Sequence, residues 1–290
     1  MKYEFIDSHR LDYRPMRMCK VLAVSVSGYY AWKRRKPRPK ELEDLKIVRH
    51  MLDIHEKNYK TYGGVKMKQA LEKQGFRISL SRVYRLMRQH GIYTVHRYKH
   101  RPVSKEQTES MFKDNILDRQ FSPETPNETW VGDITYIKTR EGWAYLAVVL
   151  DLFNREVIGW SMSRKPDTEL VIRALSHALV RRNSPKGVLF HSDRGCQYSS
   201  KRYQKYLEEN HLAGSMSRKG NPFDNSCCES FFAILKKEWI YFKRYVNLRS
   251  VEASVFEYIE IFYNRRRMHS SLGYLSPKQY LENYLKVNAA

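Results

Sequence analysis

The sequence predicts an α/β protein: a mixed-sheet core flanked by helices, preceded by small all-α helix-turn-helix units and followed by C-terminal helices. Three observations lead there. From residue 129 the apolar pattern turns strand-like in three consecutive runs and then alternates helix with strand. Before that point apolar residues recur at helical spacing, and the helical part is the more basic, with net +14 over residues 1–125 against +8 over 126–290. The whole chain of 290 residues carries 53 Lys and Arg against 31 acids, a net charge of +22. That excess points to a polyanionic partner, nucleic acid first. Its 42% hydrophobic content suffices for one sizeable core and one or two small ones. No apolar run approaches the ~20 residues of a membrane span, and residues 1–10 are polar with both charge signs, unlike a secretory or transit signal. Four cysteines, Cys19, Cys196, Cys227 and Cys228, form no CxxC pair, which argues against a zinc finger and fits a reducing cytoplasm.

Along the chain, residues 1–38 form a short helical segment in which 16–35 reads as a reduced helix-turn-helix. KRRKPRPK (33–40) has two prolines and no apolar residue and is expected to be a linker lying along phosphates. Residues 39–96 hold the clearer helix-turn-helix. One helix over 65–74 presents Val65, Met67, Ala70 and Leu71 and is broken by Gly75. A second is capped by Ser79, carries Leu80, Val83, Leu86 and Met87 on one face and stops at Gly91. Arg82, Arg85 and Gln89 lie on its opposite face, where a recognition helix would meet DNA. A plain helical bundle with a solvated basic face fits the same pattern. Residues 97–126, polar and with three prolines, read as a second linker.

The core is expected over 127–240. Runs 129–138, 143–152 and 156–163 read as strands, the last two joined by a turn at 153–155. Then follow a helix over 167–182, a strand over 188–191, a helix over 199–210, a short strand over 212–217 and a helix over 225–239. Residues 241–290 complete the chain as a C-terminal helical extension.

Three acids stand out. Asp133 lies inside a strand pattern, where a short carboxylate packs poorly and needs a partner. Asp193 ends an apolar strand, at the carboxyl-end position where open α/β sheets place their sites. Glu229 projects from the first turns of a helix. Singly, each has a plainer role: a satisfied strand Asp, a turn former, a surface charge. Together they can converge on a pair of divalent cations, and all-oxygen ligands suit Mg²⁺ or Mn²⁺. Competing acids read as structural: Asp151 as an ion pair with Arg155, Asp224 as a helix cap with Asn225 or Ser226. His191, two residues before Asp193 and hence on its face of the strand, reads either as an orienter of metal-bound water or as a packed histidine. YNRRRMH (263–269) combines aromatic and basic groups as a phosphate-binding segment would.

The blocks WVGDITY (130–136), HSDRGxQY (191–198), NPxDNSxxESFF (221–232) and YNxxRxHxSL (263–272), ending in Ser276-Pro277, together resemble the DDE transposases, specifically the second-frame proteins of the insertion-sequence-three family. The 35 residues between Asp193 and Glu229 match that family's D-x35-E spacing. The likeness covers most of the chain. It implies an RNase H-like core and a DDE-type polynucleotidyl transferase that cuts mobile-element ends and joins the 3′-hydroxyl to DNA. Asp133, Asp193 and Glu229 would hold two Mg²⁺ or Mn²⁺ ions. Lys236, seven residues beyond Glu229 and nearly above it on the helix, would contact DNA near the scissile phosphate. Arg194, Gln197 and Tyr198, and Arg265, Arg266 and Arg267, are further expected DNA contacts. The expected partners are element ends and target DNA, further copies of the chain, and an upstream-frame product as fusion or partner; the expected place is the bacterial cytoplasm, at the nucleoid. The His-His-Cys-Cys zinc module of retroviral relatives is missing. The rival readings are a non-catalytic helix-turn-helix regulator and a nuclease without joining activity.

Overall fold

The computed structural model describes residues 2–35, 38–95, 113–218 and 222–289. The middle of the first expected linker, residues 97–112 of the second and Asn221 of the third block lie outside them.

Three short helices, α1 (Lys2–Ser8), α2 (Pro15–Val21) and α3 (Val26–Arg34), close around Ile6, Met18, Cys19 and Tyr29. Ser25 caps α3 by accepting from the Gly28 N–H, and the Tyr29 hydroxyl donates to Asp7 at 2.8 Å. The expected linker 33–40 is shorter than its composition suggests, because α3 runs through Arg34 and α4 begins at Pro39. Proline at the first helical position gives up only an N–H that would be unpaired anyway. Helix α4 (Pro39–Lys57) was not anticipated, although Ile47, Val48, Met51, Ile54 and His55 mark one buried face at helical spacing. It packs with α5 (Gly64–Lys73) and α6 (Leu80–Gln89), the two expected helices, and Ser79 accepts from the Arg82 N–H as the capping pattern requires.

The core is a five-stranded mixed sheet in the order β3-β2-β1-β4-β5. Strands β1 (Thr129–Thr139), β2 (Gly142–Asp151) and β3 (Val157–Ser163) form an antiparallel meander; β4 (Leu189–Ser192) joins β1 in parallel and β5 (Ala213–Met216) joins β4 in parallel. Strand alternation divides the apolar side chains between two layers. Trp130, Ala147, Val149, Ile158 and Phe190 meet α7 (Thr168–Arg181) and α8 (Lys201–Glu209) on one face. Val131, Ile137, Leu146, Val148 and Leu150 meet α9 (Ser226–Glu238), α10 (Leu248–Phe256) and the π-helical run Glu257–Tyr263 on the other. Gly159 lets α7 approach β3, since a Cβ there would collide with the Ala174 carbonyl.

Two expected boundaries are redrawn by packing. The described end of the second linker is a strap on the sheet: Ser215 Oγ accepts from the Ile116 and Leu117 N–H groups, Met216 N–H donates to the Asp114 carbonyl, and Leu117 is buried. It thereby covers the β5 edge. The C-terminal region is not an appendage, because α10 and the π-helical run form a wall of the core, and Met268 packs into the α4–α6 unit. The Tyr62 hydroxyl donates to the Arg266 carbonyl and accepts from the Met268 N–H, tying that unit to the core. Helix α11 (Pro277–Asn288) ends the fold, capped by Ser276. Among the described residues no helix is long and apolar enough to cross a membrane.

Candidate active site

The parallel ladder between β1 and β4 ends with Gly132 opposite Ser192. The residues that follow are Asp133, still within β1, and Asp193, just past the end of β4, so the two acids leave neighbouring strands whose backbones run ~4.8 Å apart, and Asp133 feels the charge of Asp193. Gly132 permits this junction: a Cβ would meet the Phe190 ring at 2.5 Å. Alternation puts Asp133 on the face of Val131 and Ile137, toward α9. From the first turn of α9 comes Glu229, exposed, while Phe231, Phe232 and Leu235 anchor the helix in the core. Asn225 Nδ2 donates to the Gly132 carbonyl at 3.2 Å and ties the helix start to β1.

These acids repel one another. Burial, then the charges of Asp193 and Glu229, push the Asp133 carboxyl well above the usual carboxylate range, against the Ile134 N–H that donates to it at 2.7 Å and the nearby Lys236. Burial raises Asp193 too, eased by the Gly195 N–H at 3.0 Å. Glu229, though its side chain is exposed, is raised by partial desolvation against the rest of the chain and by the charge of Asp193. Lys236 is pulled down by burial and partly restored by Asp133; its Nζ lies 4.9 Å from the centre of the Tyr136 ring. Among the described residues no Lys, Arg or His nitrogen lies within 4.0 Å of any of the three carboxylates, and no three His, Cys, Asp or Glu side chains stand close enough to hold one metal ion between them. Two adjacent carboxylates without a neutralising cation are the donor set a hard divalent ion fits. Glu229 is near enough to be felt electrostatically and must swing inward to share such an ion.

The competing residues are placed elsewhere. His191 is fully buried, with Nδ1 2.9 Å from Ser215 Oγ and Nε2 3.1 Å from Ser217 Oγ, and burial lowers it to about 4. Both ring nitrogens are therefore committed to β5 and its exit, and the packed reading replaces the water-orienting one. Asp151 does not pair with Arg155. It accepts from the Asn127 and Phe153 N–H groups and lies 3.4 Å from Arg182, while Arg155 donates to Cys227 Sγ and the Phe121 carbonyl. Asp224 is no cap: buried, it binds Asn115, Arg119 and Arg218, and although burial opposes ionisation the arginines hold it well below the usual range. Tyr198 is buried among Phe190 and Tyr203 and cannot meet DNA as expected.

Of the expected DNA contacts, Arg265 and Arg266 are exposed. Arg267 is not. It is buried, with two hydrogen bonds to Glu238 at 2.7 and 2.8 Å, because the π-helical run turns it inward onto the end of α9. In the sequence Glu238 reads only as one more charge in KKEW. Arg82 bonds to Glu43 and Asp44 of α4, and Arg85 to Asp44 and Gln89, so acids already neutralise much of that face. Arg194 donates to the Ser217 carbonyl and Gln197 to the Pro166 carbonyl, framing the loop after Asp193.

Two sequence-family profiles described as "Integrase core domain" match residues 123–222 and 229–285, and one described as "HTH-like domain" matches 41–100. The chain is 40% identical over 284 residues to the transposase InsF for insertion sequence IS3A of Escherichia coli (strain K12), covering 97% of this chain and 98% of that one. It is 36% identical over 272 residues to the insertion element IS600 31 kDa protein of Shigella sonnei, covering 94% of this chain and 100% of that one. Among solved structures it is similar to the HTLV-2 integrase catalytic core domain in complex with magnesium, at 19% identity and a TM-score of 0.43, over 54% of this chain and 97% of that one.

Proposed function

This chain belongs to the IS3 family of insertion-sequence transposases, and on that premise we propose how it works: it cuts the ends of its mobile element and joins the freed 3′-hydroxyl to another phosphodiester, with Asp133, Asp193 and Glu229 as the reaction centre. One observation supports this above the others: two acids, Asp133 within β1 and Asp193 just past β4, where the ladder between these strands ends, with no cationic partner among the described residues and a third acid within electrostatic reach. The three would hold two Mg²⁺ or Mn²⁺ ions, which when bound supply the Lewis acidity for in-line displacement at phosphorus. The backbone N–H groups of Ile134 and Gly195 fix the two aspartates, and α9 brings Glu229 and Lys236 to the same opening. Lys236 would seat the phosphate beside the scissile bond. Arg265, Arg266 and the α5–α6 unit would hold DNA further out, and because two ends must be joined the working form would be a multimer on DNA. An upstream-frame product, fused or bound, would complete end recognition, and the bacterial cytoplasm at the nucleoid is the corresponding place of action.

Labelled element-end DNA incubated with Mg²⁺, with cut and joined products resolved, tests the reading. Wild type should give both products. Asp133→Asn, Asp193→Asn and Glu229→Gln should each abolish both while retaining DNA affinity. An active Asp193→Asn protein would refute the assignment, cutting without joining would favour the plain nuclease, and binding without either product the regulator.

A further inference from the structure

Strand β1 outruns β4: the ladder stops at Gly132, so the stretch from Asp133 to Thr139 pairs on that side with no other strand among the described residues. On the face turned away from α9, Tyr136 and Trp143 stand edge to face, ring centroids 5.1 Å apart, and they are 57% and 50% exposed. Around the free edge comes Lys236, its Nζ 4.9 Å from the Tyr136 ring centre and near enough to feel Asp133. Tyr241, just past α9, adds a ring that is 43% exposed. Lys138, the next residue on the Tyr136 face, is exposed and has no carboxylate partner among the described residues.

A cross-strand aromatic pair steadies a hairpin, which accounts for the contact between Tyr136 and Trp143. It does not account for rings left half open to water beside an ammonium that also faces the reaction centre. Tyr136 lies three residues along β1 from Asp133, about 10 Å, or roughly three base steps at 3.4 Å each. Flat aromatic surface flanked by cations is what an unpaired nucleobase and its phosphate require. We propose that Tyr136, backed by Trp143, is a stacking platform for a base that leaves the duplex about three steps from the scissile phosphate, with an intervening phosphate on Lys236. The occupant is DNA and not a second copy of the chain, because Lys236 stands against the Tyr136 ring and Lys138 follows on the same face, in a protein of net charge +22. The inference rests on Asp133, Asp193 and Glu229 being the reaction centre.

The test uses full-length protein carrying Asp193→Asn, so that binding is read without turnover, and a duplex of the element's own terminal repeat with 2-aminopurine in a three-nucleotide overhang at the junction. Binding should quench the fluorophore. Adding Tyr136→Leu should remove the quench and weaken affinity on the order of tenfold, whereas Tyr136→Phe, which keeps the ring, should behave as the parent. Trp143→Leu should reduce the quench in part. An unchanged quench in Tyr136→Leu, with the melting temperature preserved, overturns the proposal. So does a loss of self-association in that variant with its quench intact, which would assign the rings to a second copy. In protein with Asp193 restored, products without a quench sink the platform alone, while a quench without products sinks the catalytic reading and leaves the platform standing.

Discussion

Arg267 is the sharpest test of what packing adds, since three consecutive arginines look alike in sequence and only one is buried. Its side chain and that of Glu238 are 7% and 10% exposed, with two hydrogen bonds between them and a third to Glu238 from the Tyr258 hydroxyl at 3.1 Å. Burial works against the guanidinium, yet the paired carboxylate more than compensates and raises its pKa. Arg267→Ala leaves Glu238 charged and buried without a counter-ion, and breaking such a pair costs about 3–5 kcal/mol. At about 2–4 °C per kcal/mol for a chain of this class, the melting temperature should fall by roughly 6–20 °C. Arg265→Ala and Arg266→Ala, on the surface, should stay within about 0.5 kcal/mol of wild type. The double change Arg267→Met with Glu238→Leu should recover much of the loss, because two apolar side chains carry no desolvation cost. Scanning calorimetry with salt-dependent DNA titration separates the roles. Arg265→Ala and Arg266→Ala should each reduce the log–log salt slope by about 0.9 and Arg267→Ala should not. If Arg267→Ala melted like wild type and instead lost DNA affinity and slope, the arginine would be a phosphate contact and the buried pair irrelevant.

Three further outcomes are expected. Burial raises Asp151 to about 6, against the nearby Arg182 and two N–H donors, so the folded state holds that proton more tightly than the unfolded chain near 3.9. The associated stability is full below about pH 4 and lost as pH rises through 6, a drop of about 3 kcal/mol; urea midpoints between pH 3.5 and 7.5 should show it flattened in Asp151→Asn, and parallel curves would contradict it. The raised Asp133 and Asp193 likewise lower metal-free stability as pH rises through their folded values. Mg²⁺ or Mn²⁺ at one hundred times its dissociation constant should therefore add about 2.7 kcal/mol at pH 7.5, less at pH 4.5 and little in Asp193→Asn, measured by thermal shift. Lys236→Ala should lose end-DNA binding or joining with under about 1 kcal/mol of stability lost; unchanged kinetics would return it to the status of a surface charge.

Most elements of the core were legible in the sequence because periodicity is local. Runs of β-branched, aromatic and apolar residues mark β1 to β3, and Ser79 caps α6 as its side chain predicts; Asp167 and Ser200 prove to cap α7 and α8 in the same way. Helix α4 is less legible, because charged residues surround its narrow stripe of Ile47, Val48, Met51 and Ile54. The three acids were visible as exceptions to their local patterns, and the family blocks bound them together.

What the sequence settled alone was the order of strands and helices in the core, the family and the acids worth testing. Tertiary structure decided the partners of three buried charges. Asp151 found Arg182, 31 positions away, and not its neighbour Arg155; Asp224 gathered Arg119 and Arg218; Arg267 met Glu238, 29 positions away. Secondary structure depends on dihedral preferences and on a repeat of two or 3.6 residues, which neighbouring positions specify. A charge removed from water instead needs a counter-charge within a few ångströms, and only the packing of distant segments determines which one is there.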